Sequence, residues 1–232
     1  MWMRHRGKKD KKISLSMVGA TGFEPVTPAV SRQCSTTELR THFFKINILK
    51  YIKIYSNHLI LENIVKFRKF TFEDIGNILQ IYNFHILNGL ANFEENPLTY
   101  NDFFKLSESI INADLPFIVC EDSKDILGFA YLNKFRNKSG YKFSYENTIY
   151  VHPNHLSKGI GSKLLKKLIL SSSEKPQIKS IIAVIGGHEA KASIKIHQKN
   201  GFRMVGKLKN IGFKKNQWLD AIYMQIEIHE KN

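Results

Sequence analysis

A buried strand, a proline turn and two glycines form the stretch of this sequence best suited to chemistry. Thr148-Ile-Tyr-Val-His-Pro-Asn-His-Leu-Ser-Lys-Gly-Ile-Gly-Ser162 runs from an apolar strand through a turn into the start of a helix. The first amides of a helix lack intrahelical partners and the dipole there favours negative charge, so Lys158 to Ser162 is a candidate anion site. Gly159 and Gly161 would let a diphosphate approach the backbone closely. The spelling excludes two other phosphate loops: the P-loop needs Gly-Lys-Ser/Thr after four intervening residues from an earlier Gly, and the dinucleotide fingerprint needs Gly where Leu164 stands. The competing reading is a helix start that needs small residues only for packing. His152 and His155 flank the proline turn with no third ligand in suitable spacing, so no metal site is expected. Cys34 and Cys120 stand far apart, without a second thiol or His at zinc-ligand spacing, and Cys120 in the run Phe117 to Cys120 reads as a buried thiol.

The chain around this segment has 232 residues, 43% of them hydrophobic, enough for one ordinary core with an extension. Its formal charge is +15, of which +7 falls in residues 1–65, so the excess is spread along the chain and forms no single nucleic-acid stripe. The most lipid-like run, Phe43 to Ile60, is cut by Lys45, Lys50 and Lys53, which excludes a spanning helix. Met1 to Lys12 also lacks the apolar region of a secretory signal. The expectation is a soluble, cytoplasmic protein that binds neither membrane nor nucleic acid.

Residues 1–64 read as a non-native extension. Met17 to Arg40 has neither helical nor strand periodicity. Gly22-Phe23-Glu24-Pro25 can be encoded GGA-TTC-GAA-CC, the reverse complement of a transfer RNA T-arm, and Ser35 to Leu39 can be the reverse complement of a D-arm. Both occur in antisense order, and Ile/Lys/Asn/Tyr-rich sequence follows, as expected of translated spacer. The alternative is a disordered basic arm. On either reading the working domain is 65–232.

Within that domain strands and helices alternate. Val65 to Lys69 reads as a strand, Thr71 as the cap of a helix ending near Asn88 or Gly89, and Thr99 with Asp102 as a capping box for a second helix. Strands are expected at Phe117 to Glu121, Ile126 to Leu132 and Tyr145 to Val151, with a helix to about Ser172. Ser180 to Ile185 reads as a strand and Ala190 to Asn200 as a helix closed by Gly201. Met204 to Lys209 and Trp218 to Ile228 read as the last strands.

Strand, proline turn and Gly-x-Gly together resemble motif A of the GNAT acyl-coenzyme A N-acetyltransferases. The resemblance is closest to the phosphinothricin and methionine sulfoximine acetyltransferase group and runs from about Val65 to Ile228. It is carried by Ile81-Tyr82-Asn83, Phe93-Glu94-Glu95-Asn96-Pro97-Leu98-Thr99, Glu146-Asn-Thr-Ile-Tyr-Val151, Ala183-Val-Ile-Gly186, His197-Gln-Lys-Asn-Gly-Phe202, and Gly212-Phe-Lys214 with Trp218 and Asp220. It implies an α/β (α+β) GNAT fold, a mixed and mostly antiparallel sheet with helices on both faces. It also implies acetyl transfer from acetyl-CoA to the amino group of a small amino acid or analogue, by a homodimer without metal. The coenzyme's pantetheine arm would lie along Ile149, Tyr150 and Val151, its diphosphate on Ser157, Lys158, Gly159, Ile160, Gly161 and Ser162, with a further contact at Ser193. Glu146 matches the family's general base, the alternative being a strand carboxylate paired with a Lys. Arg136, Lys138 and Tyr141 match the loop facing the acceptor's acidic end, and Glu94 and His197 match further acceptor-side positions; each also has a plain use as a surface or structural group. Phe67, Phe70, Phe72, Phe93 and Trp218 read as core or dimer packing.

The departures from the pattern are Leu156 in place of Arg or Gln, Ser157 in place of Gly, Ala190 in place of Asn, and Asn216 in place of Gly. A lost charge-assisted hydrogen bond costs about 1.5–3 kcal/mol and a neutral one about 1 kcal/mol, with Lys158 as a compensating charge. A silent coenzyme-binding relic and an enzyme acting on a peptide amino terminus are therefore the rival readings.

Overall fold

A computed structural model describes residues 65–123, 125–187 and 191–228. The expectations for residues 1–64, and those for Cys34 and Ala190, lie outside these. The elements are β1 (Lys66–Lys69), α1 (Ile75–Asn88), α2 (Tyr100–Asn112), β2 (Phe117–Glu121), β3 (Ile126–Lys134), β4 (Ser144–Val151), α3 (Ile160–Ser172), β5 (Ser180–Gly186), α4 (Lys191–Lys199), β6 (Arg203–Lys214) and β7 (Gln217–Glu227).

Local chemistry sets several of these boundaries. Thr71 N–H donates to Asp74 Oδ2 at 2.8 Å, opening a turn of 3-10 helix that leads into α1. At α2 the exchange is reciprocal: Asp102 N–H donates to Thr99 Oγ1 at 3.2 Å, and Thr99 N–H donates to Asp102 Oδ2 at 3.1 Å. Gly201 ends α4 at φ +91°, in the left-handed region expected of a residue just past a helix. β6 runs on to Lys214 because it stays paired with β7 beyond an irregularity between Leu208 and Gly212. Lys215 and Asn216, at φ +49° and +58°, make the tight turn between them.

The seven strands form one sheet in the order β1-β2-β3-β4-β5-β7-β6, antiparallel except for the β4–β5 pair. Side chains alternate along β3: Phe129 packs against Tyr82 of α1 and Phe103 of α2, while a Cβ on Gly128 would stand 3.2 Å from Leu164 of α3. α1 and α2 therefore cover one face, and α3 covers the other. The core is continuous from Ile75, Ile78 and Ile86 through Val119, Phe129 and Leu132 to Leu164, Leu165 and Leu168, all fully buried. Cys120 is buried among them, and burial pushes its thiol up to about 12, so it stays protonated. Among the described residues no helix is long and apolar enough to cross a membrane.

Candidate active site

β4 and β5 separate part-way along their length. They pair only at Ser144 with Ser180, Tyr145 with Ile181 and Glu146 with Ile182. Ser144 C=O accepts from Phe135 N–H at 3.3 Å, and His152 N–H donates to Leu127 C=O at 2.9 Å. Even-numbered residues thus direct their backbone groups toward β3, and those of Asn147, Ile149 and Val151 point into the gap that β5 has left. His85 Nε2 donates to Val151 C=O at 2.8 Å and its ring stacks on Tyr150. The N–H groups of Ile149 and Val151 and the C=O of Ile149 remain as an open strand edge.

The gap widens into a cleft of about 250 Å³ lined by Tyr82, Ala91, Asn92, Phe93, Glu146 to Tyr150, Ala183 to Gly186, Ser193 and His197. Alternation assigns the lining to two faces. Tyr150 meets Tyr82 on the α1 side, so Glu146 and Thr148 also project there; Asn147 meets His197 on the α4 side. A molecule lying on the α3–α4 side and another on the α1 side would meet through the gap.

Glu146 is half-buried, and burial raises its carboxyl above the ordinary range, opposed by the charge of Arg136. Its carboxylate makes no ion pair among the described residues, and the nearest cation felt is Arg136. His197 is buried: Nδ1 donates to Ser193 C=O at 2.8 Å, so Nε2 accepts from Asn147 Nδ2 at 2.9 Å. Burial lowers its pKa, the Ser193 carbonyl partly offsetting this, and both ring nitrogens are engaged within the cleft wall.

The expected coenzyme loop follows the turn after β4. Gly159 caps α3 at φ +80° with no side-chain cap, leaving the first amides of the helix to an external acceptor. Gly161 is not required by conformation, and a Cβ there would sit in ordinary contact 3.6 Å from Val151 and Ile196. Without a side chain at this position, the backbone of the first turn stays open to close approach by a ligand. This, with the open edge of β4, fits a pantetheine and diphosphate. Ile160 is core and contributes only its amide, while Ser162 Oγ accepts from Asn200 Nδ2 at 3.1 Å. Ser157 stands at φ +60°, which accounts for glycine being usual there. Leu156 is exposed.

Of the expected site residues, the cleft gathers Glu146, Ile149, Tyr150, Ser193 and His197. Arg136 is exposed, its guanidinium 4.9 Å over the Phe135 ring, and reaches Glu146 only by its field. Lys138 and Tyr141 are exposed outside the lining, and Glu94 is exposed, its charge felt by Tyr82 and Tyr150. Phe93, expected to be core or dimer packing, borders the cleft, and Trp218 is exposed rather than core.

Sequence reasoning did not single out Asn92 and Asn147. Both are buried, and Asn92 Nδ2 and Asn147 Oδ1 find no hydrogen-bond partner, a donor and an acceptor left unsatisfied in residues that line the cleft. The available signal for Asn147 is a polar residue on one strand face between Tyr145 and Ile149.

Residues 67–223 match the model of the acetyltransferase (GNAT) domain family. The phosphinothricin N-acetyltransferase of Alcaligenes faecalis is 34% identical over 153 residues, covering 66% of this chain and 77% of its own. The L-methionine sulfoximine/L-methionine sulfone acetyltransferase of Salmonella typhimurium is 29% identical over 157 residues, covering 68% and 91%. The crystal structure of a GNAT superfamily phosphinothricin acetyltransferase from Sinorhizobium meliloti in complex with AcCoA superposes with a TM-score of 0.68 at 34% identity, covering 71% of this chain and 88% of that one.

Proposed function

Because the chain belongs to the GNAT acetyltransferase family and is an acetyl-transferring enzyme, we propose that its acceptor is the amino group of a small, anionic amino acid or analogue of the phosphinothricin or methionine sulfoximine type. The observation that carries this reading is the desolvated carboxylate of Glu146, on the α1 side of a gap whose other side presents an open strand edge. Acetyl-CoA supplies the acetyl group as a thioester. Ile149, Tyr150 and Val151 offer the edge along which its pantetheine would lie, with Ser193 beside it. The amides from Ser157 through Lys158, Gly159, Ile160 and Gly161 to Ser162 would hold the diphosphate, with the Lys158 charge alongside.

On the acceptor side Glu146 takes a proton from the incoming ammonium, because only the free amine has the lone pair to attack. Arg136 attracts the acceptor's acidic end, with Lys138 and Tyr141 on the same loop and Glu94 near the amine. Cys120 forms no acyl-enzyme, being a buried neutral thiol, so transfer is direct within a ternary complex. This reading places the enzyme in the cytoplasm and gives residues 1–64 no part in the chemistry. It also makes the working unit a homodimer, supported by Met204, Val205, Leu208, Ile211, Phe213 and Trp218 exposed on the terminal hairpin. A second reading, a coenzyme-binding relic with little turnover, has Leu156 and the left-handed backbone of Ser157 in its favour.

Release of coenzyme A thiol by the full chain, with acetyl-CoA and phosphinothricin or methionine sulfoximine, tests the reading. Turnover is expected, and Glu146→Gln should lower kcat by about 100-fold or more with the KM for acetyl-CoA unchanged. A folded protein that binds acetyl-CoA but acetylates neither acceptor would overturn this acceptor class.

A further inference from the structure

Lys214 ends β6 with its side chain almost wholly inside the protein, only 2% exposed. It is the sole buried lysine or arginine among the described residues. Among the described residues its ammonium meets no carboxylate at ion-pair distance; it donates to the backbone C=O of Ile86 at 2.8 Å and of Asn92 at 2.7 Å. Ile86 lies in the last turn of α1, where carbonyls have no intrahelical partner and a cation is favourable. Lys214 therefore caps α1 from more than a hundred residues away in sequence, and the same ammonium holds the segment that follows the helix.

That segment, residues 89–93, supplies Ala91, Asn92 and Phe93 to the cleft. Asn92 Oδ1 accepts from Glu94 N–H at 2.9 Å, so fixing Asn92 also fixes where Glu94 begins. The Phe93 ring fills space left by two glycines: a Cβ on Gly186 would come within 2.5 Å of it and one on Gly212 within 2.9 Å. The ring seats the segment, but ring contact alone does not choose which carbonyl points inward. A buried charge is costly and tolerated only with good partners. An apolar side chain would fill the volume without satisfying either carbonyl.

We propose that Lys214 is a positioning residue for the acceptor side of the cleft, clamping the C-terminus of α1 to residues 89–93 so that Asn92 and Phe93 stand opposite Glu146. The kinetic consequence rests on the acetyl-transfer reading above; the structural one does not. Lys214 touches neither the cleft nor the open edge of β4, so its loss should disturb the acceptor and spare the coenzyme.

Two readouts on full-length Lys214→Met, beside wild type and Lys214→Arg, test this. In hydrogen exchange read by mass spectrometry, peptides covering residues 86–95 should exchange at least about tenfold faster in Lys214→Met, while those from β3, β4 and α3 stay unchanged. In steady-state kinetics the acceptor KM should rise about tenfold with the acetyl-CoA KM within about twofold, and Lys214→Arg should recover part of the loss. Unchanged exchange in 86–95 overturns the clamp, as does exchange that rises equally everywhere. Equal shifts in both KM values overturn the assignment to the acceptor side. If wild type acetylates neither phosphinothricin nor methionine sulfoximine, that failure belongs to the acceptor reading, and the exchange result still decides the role of Lys214.

Discussion

At Glu146, burial and charge act in opposite directions, and burial prevails. A base whose pKa is raised is deprotonated only above that value, so kcat/KM should fall toward acid with a midpoint above the ordinary 4.5 of a glutamate. Removing the opposing cation shifts it further: Arg136→Met should move the acid limb to higher pH, as a pH–rate profile would record, with a raised acceptor KM. The same shift has a stability sign. A carboxyl whose pKa is higher folded than unfolded stabilises the fold only where it is protonated, and that contribution disappears as pH rises through the folded value. Glu146→Gln should thus be inactive yet melt higher than wild type at pH 7, an advantage that shrinks below the unfolded glutamate pKa; thermal melts at pH 7 and pH 4 give the comparison. His197 matches a motif position, and its hydrogen bonds to Ser193 and Asn147 fix its ring in the cleft wall.

Among the elements, β4 controls the site, because it leaves β5 after Glu146 while remaining fully paired with β3. The pairing with β3 is close at Gly128, where a Cβ would stand 2.7 Å from Tyr150 C=O, 3.1 Å from Val151 Cα and 3.2 Å from Leu164. Backbone cannot yield as a side-chain tip can. Gly128→Ala should cost about 1–3 kcal/mol, measured by urea denaturation, and should weaken acetyl-CoA binding because Val151 belongs to the open edge and Leu164 to α3. α3 itself was legible: its apolar stripe, glycine cap and proline turn are local properties of the chain. The splay was not, since it depends on where a strand distant in sequence stops pairing.

For the molecule as a whole, the terminal hairpin is the apolar surface still to be accounted for. β6 is one of the sheet's two edge strands, and Leu208 and Ile211 on it are 45% and 54% exposed. Sedimentation of the full chain should give a dimer, and Leu208→Asp with Ile211→Asp should give a folded monomer; a wild-type monomer at micromolar concentration would remove the dimer from the proposal. By itself the sequence determined the order of elements, the helix cap at Thr71, the capping box at Thr99, the glycine stops, the glycine-led start of α3 and the family. These follow from periodicity, capping chemistry and short motifs, each contained within a few neighbouring residues. Only the tertiary structure decided that β4 and β5 part after Glu146, that Asn147 occupies His197 and that Lys214 clamps the end of α1. It also decided that Lys138 and Tyr141 stand outside the cleft. Such facts depend on contacts between segments tens to more than a hundred residues apart, and on the burial that sets each group's charge, and neither is written in local spacing.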